Sequence, residues 1–289
     1  MHYTRSFRRA LALLLCLPLL ALALPAAAEN VDDSLVVGVL STRTTEVRPL
    51  EPLERDLLSL YQMVYESLVY IDDNGLPQPL LCESWESSTD GQTWNFVLRE
   101  DITFSDGTPL TANDVAASLQ YILDLANNDQ APDRGFYQNI RYVVGSVKAL
   151  DELNLQIKAK RGYYGFLYAM TFPVVPAGQV QSASPVGTGP YTISVFEPGG
   201  YMWLVENENW WQTPPQVKEI MATFYQNNAD LISAYEYARV DAAFTRSVAA
   251  AQYRSGINSL SISYATRQLE CLLINHLSYP LESLAIRQA

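Results

Sequence analysis

Residues 64–115 constrain the fold more than any other part of the chain. Three glycine turns, at Asn74-Gly75, Asp90-Gly91 and Asp106-Gly107, separate short apolar and aromatic runs within this stretch. The alternation is typical of β-hairpins, because glycine adopts the backbone conformation that tight turns require. The stretch therefore predicts several short strands joined by tight turns.

Elsewhere the residue pattern predicts an α/β chain. Ser34–Leu40 is a nearly continuous apolar run, as expected for a strand buried on both faces. Residues 52–65 show helical spacing, with Leu53 on the apolar side, and Thr111 and Asp114 form a capping-box pattern that predicts the start of a second helix. The remaining predicted strands are residues 143–150, 153–159, 191–197, 201–206, 219–225 and 240–244, and a third predicted helix is residues 228–237.

Five fragments between residues 66 and 115 occur in an order, and with gaps, that one protein family shares. They read ESLV at residues 66–69, PLL and SW within 79–85, DGQTW at 90–94, FVLR at 96–99 and FSDGTPLTANDV at 104–115. Further along, SVKALD at residues 146–151 and GTGPY at 187–191 continue the match. By these fragments the chain resembles the bacterial extracellular solute-binding proteins of family 5, the oligopeptide- and dipeptide-binding components of ABC importers.

The resemblance implies both a fold class and a domain organisation. The expected fold is α/β, a lobe I like that of type II periplasmic binding proteins, with a mixed sheet domain and an inserted α+β subdomain. The sheet domain would comprise residues 29–60 and 172–268, and the inserted subdomain residues 61–171. Residues 269–289 would begin lobe II.

Two further expectations follow from this organisation. Ser34–Leu40 should lie in the same sheet as residues 219–224 or 240–244. Family members carry a whole second lobe after the segment that begins near Leu281, so we expect the chain to be truncated before most of lobe II. A single lobe leaves half of the ligand's contacts unmade, and it should therefore bind ligand weakly.

The amino terminus predicts export. Arg5, Arg8 and Arg9 precede an uncharged run at residues 10–24, and small residues ending at Ala28 suit cleavage. This pattern is typical of a secretory signal peptide at residues 1–28. The expected location of the mature chain is therefore periplasmic or extracellular.

Charge and cysteine content narrow the range of partners. Cleavage would remove three arginines and no acidic residue, so the formal charge of −12 would become −15. An acidic surface repels phosphate backbones, and we expect no nucleic-acid partner. Cys82 and Cys271 remain after cleavage; a disulfide is permitted outside the cytoplasm, but two buried free thiols are expected.

Catalytic chemistry finds little support in the sequence. His276 is the only histidine that would remain after cleavage, so the chain cannot build a histidine-based metal cluster or supply several catalytic imidazoles. We expect no enzymatic activity, no metal site and no cofactor. A secreted hydrolase or a surface interaction protein that uses a related lobe remains the alternative.

The resemblance implies a substrate-binding component that captures short peptides, or similar small solutes, between two lobes. The expected partners are the solute and the ABC permease subunits at the membrane, and we expect a monomer. Chelated nickel, haem and sugar remain alternative cargoes, because similar scaffolds carry them.

Seven residues are expected to border the cleft between the lobes. Loops at the carboxyl ends of strands carry ligands in open α/β sheets, and tyrosine offers an apolar wall with a hydroxyl tip. For Tyr137, packing beneath a loop is the alternative. The seven candidate ligand-binding residues are Ser41, Thr42, Arg43, Thr44, Tyr137, Glu270 and Cys271.

Overall fold

The computed structural model describes residues 33–131 and 135–245. The predictions for the signal peptide, for the start of lobe II, and for Glu270 and Cys271 lie outside the described residues. Within those residues, no helix is long and apolar enough to cross a membrane.

Eleven strands and three α-helices are observed in the described part of the chain. The strands are β1 (Ser34–Leu40), β2 (Val69–Ile71), β3 (Pro77–Pro79), β4 (Cys82–Ser87), β5 (Thr93–Leu98), β6 (Val144–Ala149), β7 (Asn154–Ala159), β8 (Tyr191–Glu197), β9 (Tyr201–Glu206), β10 (Glu219–Tyr225) and β11 (Ala242–Ala243). The helices are α1 (Arg55–Gln62), α2 (Ala112–Asn127) and α3 (Asn228–Glu236), and 3₁₀ helices lie at Gln138–Tyr142, Phe166–Met170 and Ala177–Gln179.

The larger sheet is mixed and has the order β11-β1-β10-β9-β8. Strand β1 runs parallel to both of its neighbours, β10 and β11, whereas β9 is antiparallel to β10 and to β8. The expected pairing of Ser34–Leu40 with the segments near residues 219–224 and 240–244 is therefore confirmed. Helix α3 covers β1, where Leu231 is fully buried.

The smaller sheet is antiparallel and has the order β4-β5-β7-β6. In β5 the side chains of Phe96 and Leu98 are buried while Asn95 and Val97 are exposed, the alternation expected when one face of a sheet is covered. Helix α2 packs on β6 and β7, and its buried residues include Val115, Leu119 and Ile122. At its start, the Thr111 N–H and hydroxyl both donate to one carboxylate oxygen of Asp114.

The glycine turns predicted from the sequence are confirmed. Gly75, Gly91 and Gly107 all have positive φ angles, a conformation that residues with a side chain rarely adopt. The GTGPY segment is a close backbone contact, because a Cβ on Gly187 would lie 2.0 Å from the Val64 carbonyl oxygen. This contact holds the segment before β8 against the end of α1.

Two predicted elements are shorter than expected. The predicted helix at residues 52–65 is observed only as α1, because Glu54 has extended backbone angles and precedes the first helical residue. Leu53 therefore lies outside the helix and is 37% exposed, so its assignment to the apolar side was wrong. The predicted strand at residues 240–244 is reduced to β11.

Candidate functional site

Residues 41–44 directly follow β1 and form a set of hydrogen-bond donors around one carboxylate, that of Glu54. Ser41 is buried, Thr44 is half-buried, and Thr42 and Arg43 are exposed. The Ser41 hydroxyl donates to Oε2 at 2.8 Å, and the Thr44 hydroxyl and N–H donate to the same oxygen at 2.6 and 3.1 Å. Thr42 donates to Oε1 through its N–H at 2.6 Å and its hydroxyl at 3.1 Å, and the Arg43 N–H donates at 3.1 Å.

This arrangement keeps the Glu54 carboxyl group ionised. Partial burial raises its pKa, but the hydrogen bonds from Thr42, Thr44, Ser41 and Arg43 outweigh burial, and the pKa of Glu54 is lowered below 4.5. Hydrogen bonds to the charged form favour that form. Three backbone N–H groups and three hydroxyls thus form a complete carboxylate-binding loop, and the chain's own Glu54 occupies it.

Tyr137 lies on a different loop, at the start of the 3₁₀ helix Gln138–Tyr142. Its side chain is half-buried and packs against the hydrophobic core. Burial raises the pKa of its phenol. Packing beneath a loop, the alternative for this residue, accounts for these observations.

Residues 51–55 lie against both loops, the one at residues 41–44 and the one that precedes Tyr137. A Cβ on Gly135 would lie 3.2 Å from the Cα of Glu51, and the Arg55 guanidinium lies 5.3 Å above the ring of Phe136. Glu51 also accepts a hydrogen bond from Arg48 at 2.9 Å. Glu54, in the same segment, holds residues 41–44, so one short stretch of chain contacts both residues 41–44 and the residues just before Tyr137.

A second polar cluster was not predicted as a site from the sequence. The carboxyl group of Glu66 is buried, and its Oε2 accepts a hydrogen bond from the Trp211 indole N–H at 2.9 Å. Burial raises the pKa of Glu66, although Trp211 and the nearby Thr188 and Trp210 oppose the effect. The Thr188 hydroxyl and the Trp210 indole N–H are themselves buried, and within the described residues they form no hydrogen bond of ordinary geometry.

Two cavities adjoin this cluster. One, of about 310 Å³, is lined by Glu66 and Tyr70 among others. The other, of about 490 Å³, is lined by Tyr70, Pro79, Leu80, Arg99, Trp211 and Gln212. Neither is lined by residues 41–44 or by Tyr137. Glu66 and Arg99 did stand out in the sequence, but only as parts of the family fragments.

The described residues offer little for metal binding or covalent catalysis. Among them, no group of three or more His, Cys, Asp or Glu side chains could hold a metal ion. Cys82 is a buried free thiol whose Sγ lies 3.0 Å from the Leu68 carbonyl oxygen, and burial raises its pKa to about 11. Such a thiol is a poor nucleophile at neutral pH.

Comparison with known proteins identifies one family. Residues 77–289 match the family model described as bacterial extracellular solute-binding proteins, family 5. The chain is 33% identical over 190 residues to the nickel-binding periplasmic protein of Escherichia coli K12, covering 62% of this chain and 35% of that protein. It is 30% identical over 205 residues to the glutathione-binding protein GsiB of the same strain, covering 67% and 38%.

A solved structure with the same fold is DppA from Helicobacter pylori in complex with the peptide STSA. The TM-score is 0.65 at 16% sequence identity, and the match covers 76% of this chain and 48% of that one. The lobe of a type II-like periplasmic binding protein is therefore the fold of this chain. The chain spans little more than a third of the length of each of the two curated relatives, 35% and 38%.

Proposed function

Because the chain belongs to the bacterial extracellular solute-binding proteins of family 5, we propose that it is the exported substrate-binding component of an ABC importer. It captures a small solute between two lobes and presents it to the permease subunits in the membrane. The signal-peptide pattern at residues 1–28 and the periplasmic location named for the nickel-binding relative support a position outside the cytoplasm.

The geometry after β1 is the observation that carries this proposal. Residues 41–44 leave the carboxyl end of a parallel strand, the place where open α/β sheets bind ligands. Their backbone is held rigidly by Glu54, so the loop is formed before any solute arrives, which lowers the entropic cost of binding. The exposed parts of Thr42 and Arg43, together with Tyr137, form the lobe I side of the proposed cleft.

Short peptides are the proposed cargo. The relative GsiB is named as glutathione-binding, and glutathione is a tripeptide. The N–H groups and hydroxyls of residues 41–44 are bound to Glu54, so in this proposal a peptide contacts the exposed surface of Thr42 and Arg43 and the side chain of Tyr137.

Nickel carried by a small organic chelator is a second candidate, favoured by the 33% identity to the nickel-binding protein. A chelated ion brings its own ligands, so the protein needs to contact only the chelator. The same cleft could then serve without a cluster of metal-binding side chains.

Solute uptake by cells that encode the chain tests this function. Deleting the gene should lower the uptake of at least one labelled solute from a panel of di- and tripeptides, glutathione, free nickel and nickel–histidine, and the intact gene should restore it. A loss confined to nickel–histidine would select the second candidate. Unchanged uptake of the whole panel would contradict both.

A binding measurement localises the cleft once a solute is known. Thr42→Ala and Arg43→Ala together should weaken binding of that solute to the purified chain, by titration calorimetry, while Arg161→Ala, an exposed arginine on another loop, should not. If the parent, the Thr42→Ala/Arg43→Ala double variant and Arg161→Ala bind the solute with equal affinity, the cleft lies elsewhere.

A further inference from the structure

Arg99 directly follows β5, an inner strand of the smaller sheet, and forms no ion pair with any carboxylate of the described residues. Its Nε–H donates to the Leu80 carbonyl oxygen at 2.8 Å, which fixes one side of the guanidinium. Its Cζ lies 5.2 Å from the centre of the Trp211 ring. Arg99 contacts a carbonyl group and an indole but pairs with no carboxylate of the described residues, although the chain is acidic. Its remaining N–H groups can therefore donate to a ligand.

The side chain of Trp211 is fixed by a hydrogen bond. Its indole N–H donates to the buried carboxyl group of Glu66 at 2.9 Å. Since Glu66 lies between α1 and β2 and Arg99 follows β5, the Trp211 ring is fixed between parts of the chain that are distant in sequence. The guanidinium therefore rests on a rigid surface, so that little side-chain entropy remains to be lost when a ligand binds.

The cavity of about 490 Å³ opens beside these two side chains. Its other walls combine apolar surface from Pro79 and Leu80 with the ring of Tyr70, which is 46% exposed. The Tyr70 hydroxyl forms no hydrogen bond with another described residue, and the amide of Gln212 lies at the same rim. This volume falls within the range of small-molecule sites.

We propose that this surface, the Arg99–Trp211 groove, is a second binding site that takes a small organic carboxylate with an apolar or aromatic body. A planar guanidinium binds a carboxylate through two parallel hydrogen bonds, and the apolar body packs on Leu80, Pro79 and the Tyr70 ring. None of residues 41–44 or Tyr137 lines the groove, so the site is separate from the proposed solute cleft and does not depend on the importer function.

Titration of the purified chain with 3-phenylpropionate tests the proposal, because Trp211 fluorescence should report on occupancy. Saturable binding is expected, and the neutral amide of the same acid should bind at least about tenfold more weakly, since it cannot replace a charge-assisted pair. Binding should also weaken as salt is raised. A dipeptide with a free carboxyl terminus, compared with its amidated form, shows whether peptides can supply the carboxylate.

Three variants assign the binding to the groove. Arg99→Met should weaken 3-phenylpropionate about 10- to 100-fold, and Arg99→Lys should recover only part of the loss, because an ammonium cannot make the paired geometry. Arg161→Met makes the same charge change on an exposed loop and should bind as the parent does. Circular dichroism confirms that each variant is folded.

Tyr70→Ala provides a second route if Arg99→Met fails to fold, because the Tyr70 side chain is exposed and can be removed with little effect on packing. It should weaken binding about threefold or more. The proposal is overturned if the acid and its amide bind with equal affinity, or if binding does not saturate by about 10 mM ligand. It is also overturned if Arg99→Met binds as tightly as the parent or, should that variant not fold, if Tyr70→Ala does. Solute uptake by the cells is unaffected by any of these results, so the two proposals fail separately.

Discussion

At the scale of single residues, two buried or half-buried glutamates behave in opposite ways. Glu54 is surrounded by donors, and its pKa is lowered although burial alone would raise it. Glu66 is more deeply buried with fewer hydrogen bonds, and its pKa is raised, mainly by burial. The balance between burial and the hydrogen bonds that each carboxylate receives therefore decides which form the fold favours.

Replacing Glu54 with glutamine should destabilise the chain at pH 7. The amide keeps one acceptor oxygen but turns an N–H₂ group toward donors, so several charge-assisted hydrogen bonds are lost, and we expect the free energy of unfolding to fall by about 2 kcal/mol. Glu100→Gln, an exposed glutamate, is the matched control and should change little. Urea unfolding followed by tryptophan fluorescence measures both.

The same experiment has a defined pH dependence. A lowered folded-state pKa gives stability that is present above the unfolded value of 4.5 and lost as pH falls through the folded pKa. The difference between parent and Glu54→Gln should therefore shrink in acid. A difference that stays constant from pH 7 down to pH 3 would show that the carboxylate charge is not the cause.

Glu66→Gln should show the reverse trend. A raised folded-state pKa means that Glu66 favours folding most below 4.5 and that this contribution is lost as pH rises through the folded pKa. Glutamine stays neutral and keeps an acceptor for the Trp211 N–H, so the variant should gain stability relative to the parent as pH rises from 4.5 to 8, by about 1 kcal/mol. A relative stability that falls with pH would contradict this account.

At the scale of elements, the contact between β1 and α3 depends on Gly38, because glycine has no side chain. A Cβ on Gly38 would lie 2.4 Å from Cδ1 of Leu231, a side chain that is fully buried. The glycine in this strand therefore allows the helix to approach the sheet closely, as glycine in a strand often does.

Gly38→Ala should lower the free energy of unfolding by about 1–3 kcal/mol, because the added methyl group overpacks this contact. Gly178→Ala is the control: nothing lies within 4 Å of the added Cβ there, and no loss is expected. In a Leu231→Ala background the cost of Gly38→Ala should largely disappear, since the clashing atom is absent. A cost that is the same in both backgrounds would mean that the strand itself, and not α3, disfavours alanine.

Elements with a strong local pattern could be predicted from the sequence, and contacts between distant segments could not. The bounds of β8, β9 and β10 follow directly from apolar runs flanked by turn residues, and the start of α2 follows from Thr111 and Asp114. Helix α1 is shorter than its periodicity suggests, because Glu54 is used as an acceptor by residues that precede it by ten or more positions. No local pattern encodes such a contact.

The candidate site shows the same division. The position of residues 41–44 could be predicted, since a loop after a buried strand has a known place in an α/β sheet, but their occupation by Glu54 could not. The Arg99–Trp211 groove was missed, because it brings together side chains from β2, from the ends of β3 and β5, and from the segment after β9. The family fragments did mark Arg99, but as a motif residue without a partner.

At the scale of the whole molecule, carboxylates with lowered pKa values outnumber the one with a raised value among the described residues. Hydrogen bonds within their turns lower the pKa of four aspartates below the usual 3.8: the half-buried Asp72 and the exposed Asp90, Asp106 and Asp151. These carboxylates thus close the turns in which they lie.

The chain should therefore lose stability in acid. Each lowered pKa contributes stability that is present above the unfolded values of 3.8 and 4.5 and lost below them. We expect the urea midpoint to fall steadily between pH 5 and pH 3, with an unchanged slope. Glu66 opposes this trend, so Glu66→Gln should fall more steeply than the parent; a midpoint independent of pH would contradict the prediction.

The position of β1 between β11 and β10 in the larger sheet has a consequence for the order of events during synthesis. The Val36 N–H donates to the carboxylate of Asp241, 205 residues later, and both neighbours of β1 lie near the end of the described chain. At about 5–20 residues per second, roughly 10–40 s separate the emergence of β1 from that of its partners. Strand β1 must therefore wait for β10 and β11 before it can pair. During that interval a bound chaperone or a translocation channel can hold the polypeptide whose larger sheet is not yet complete.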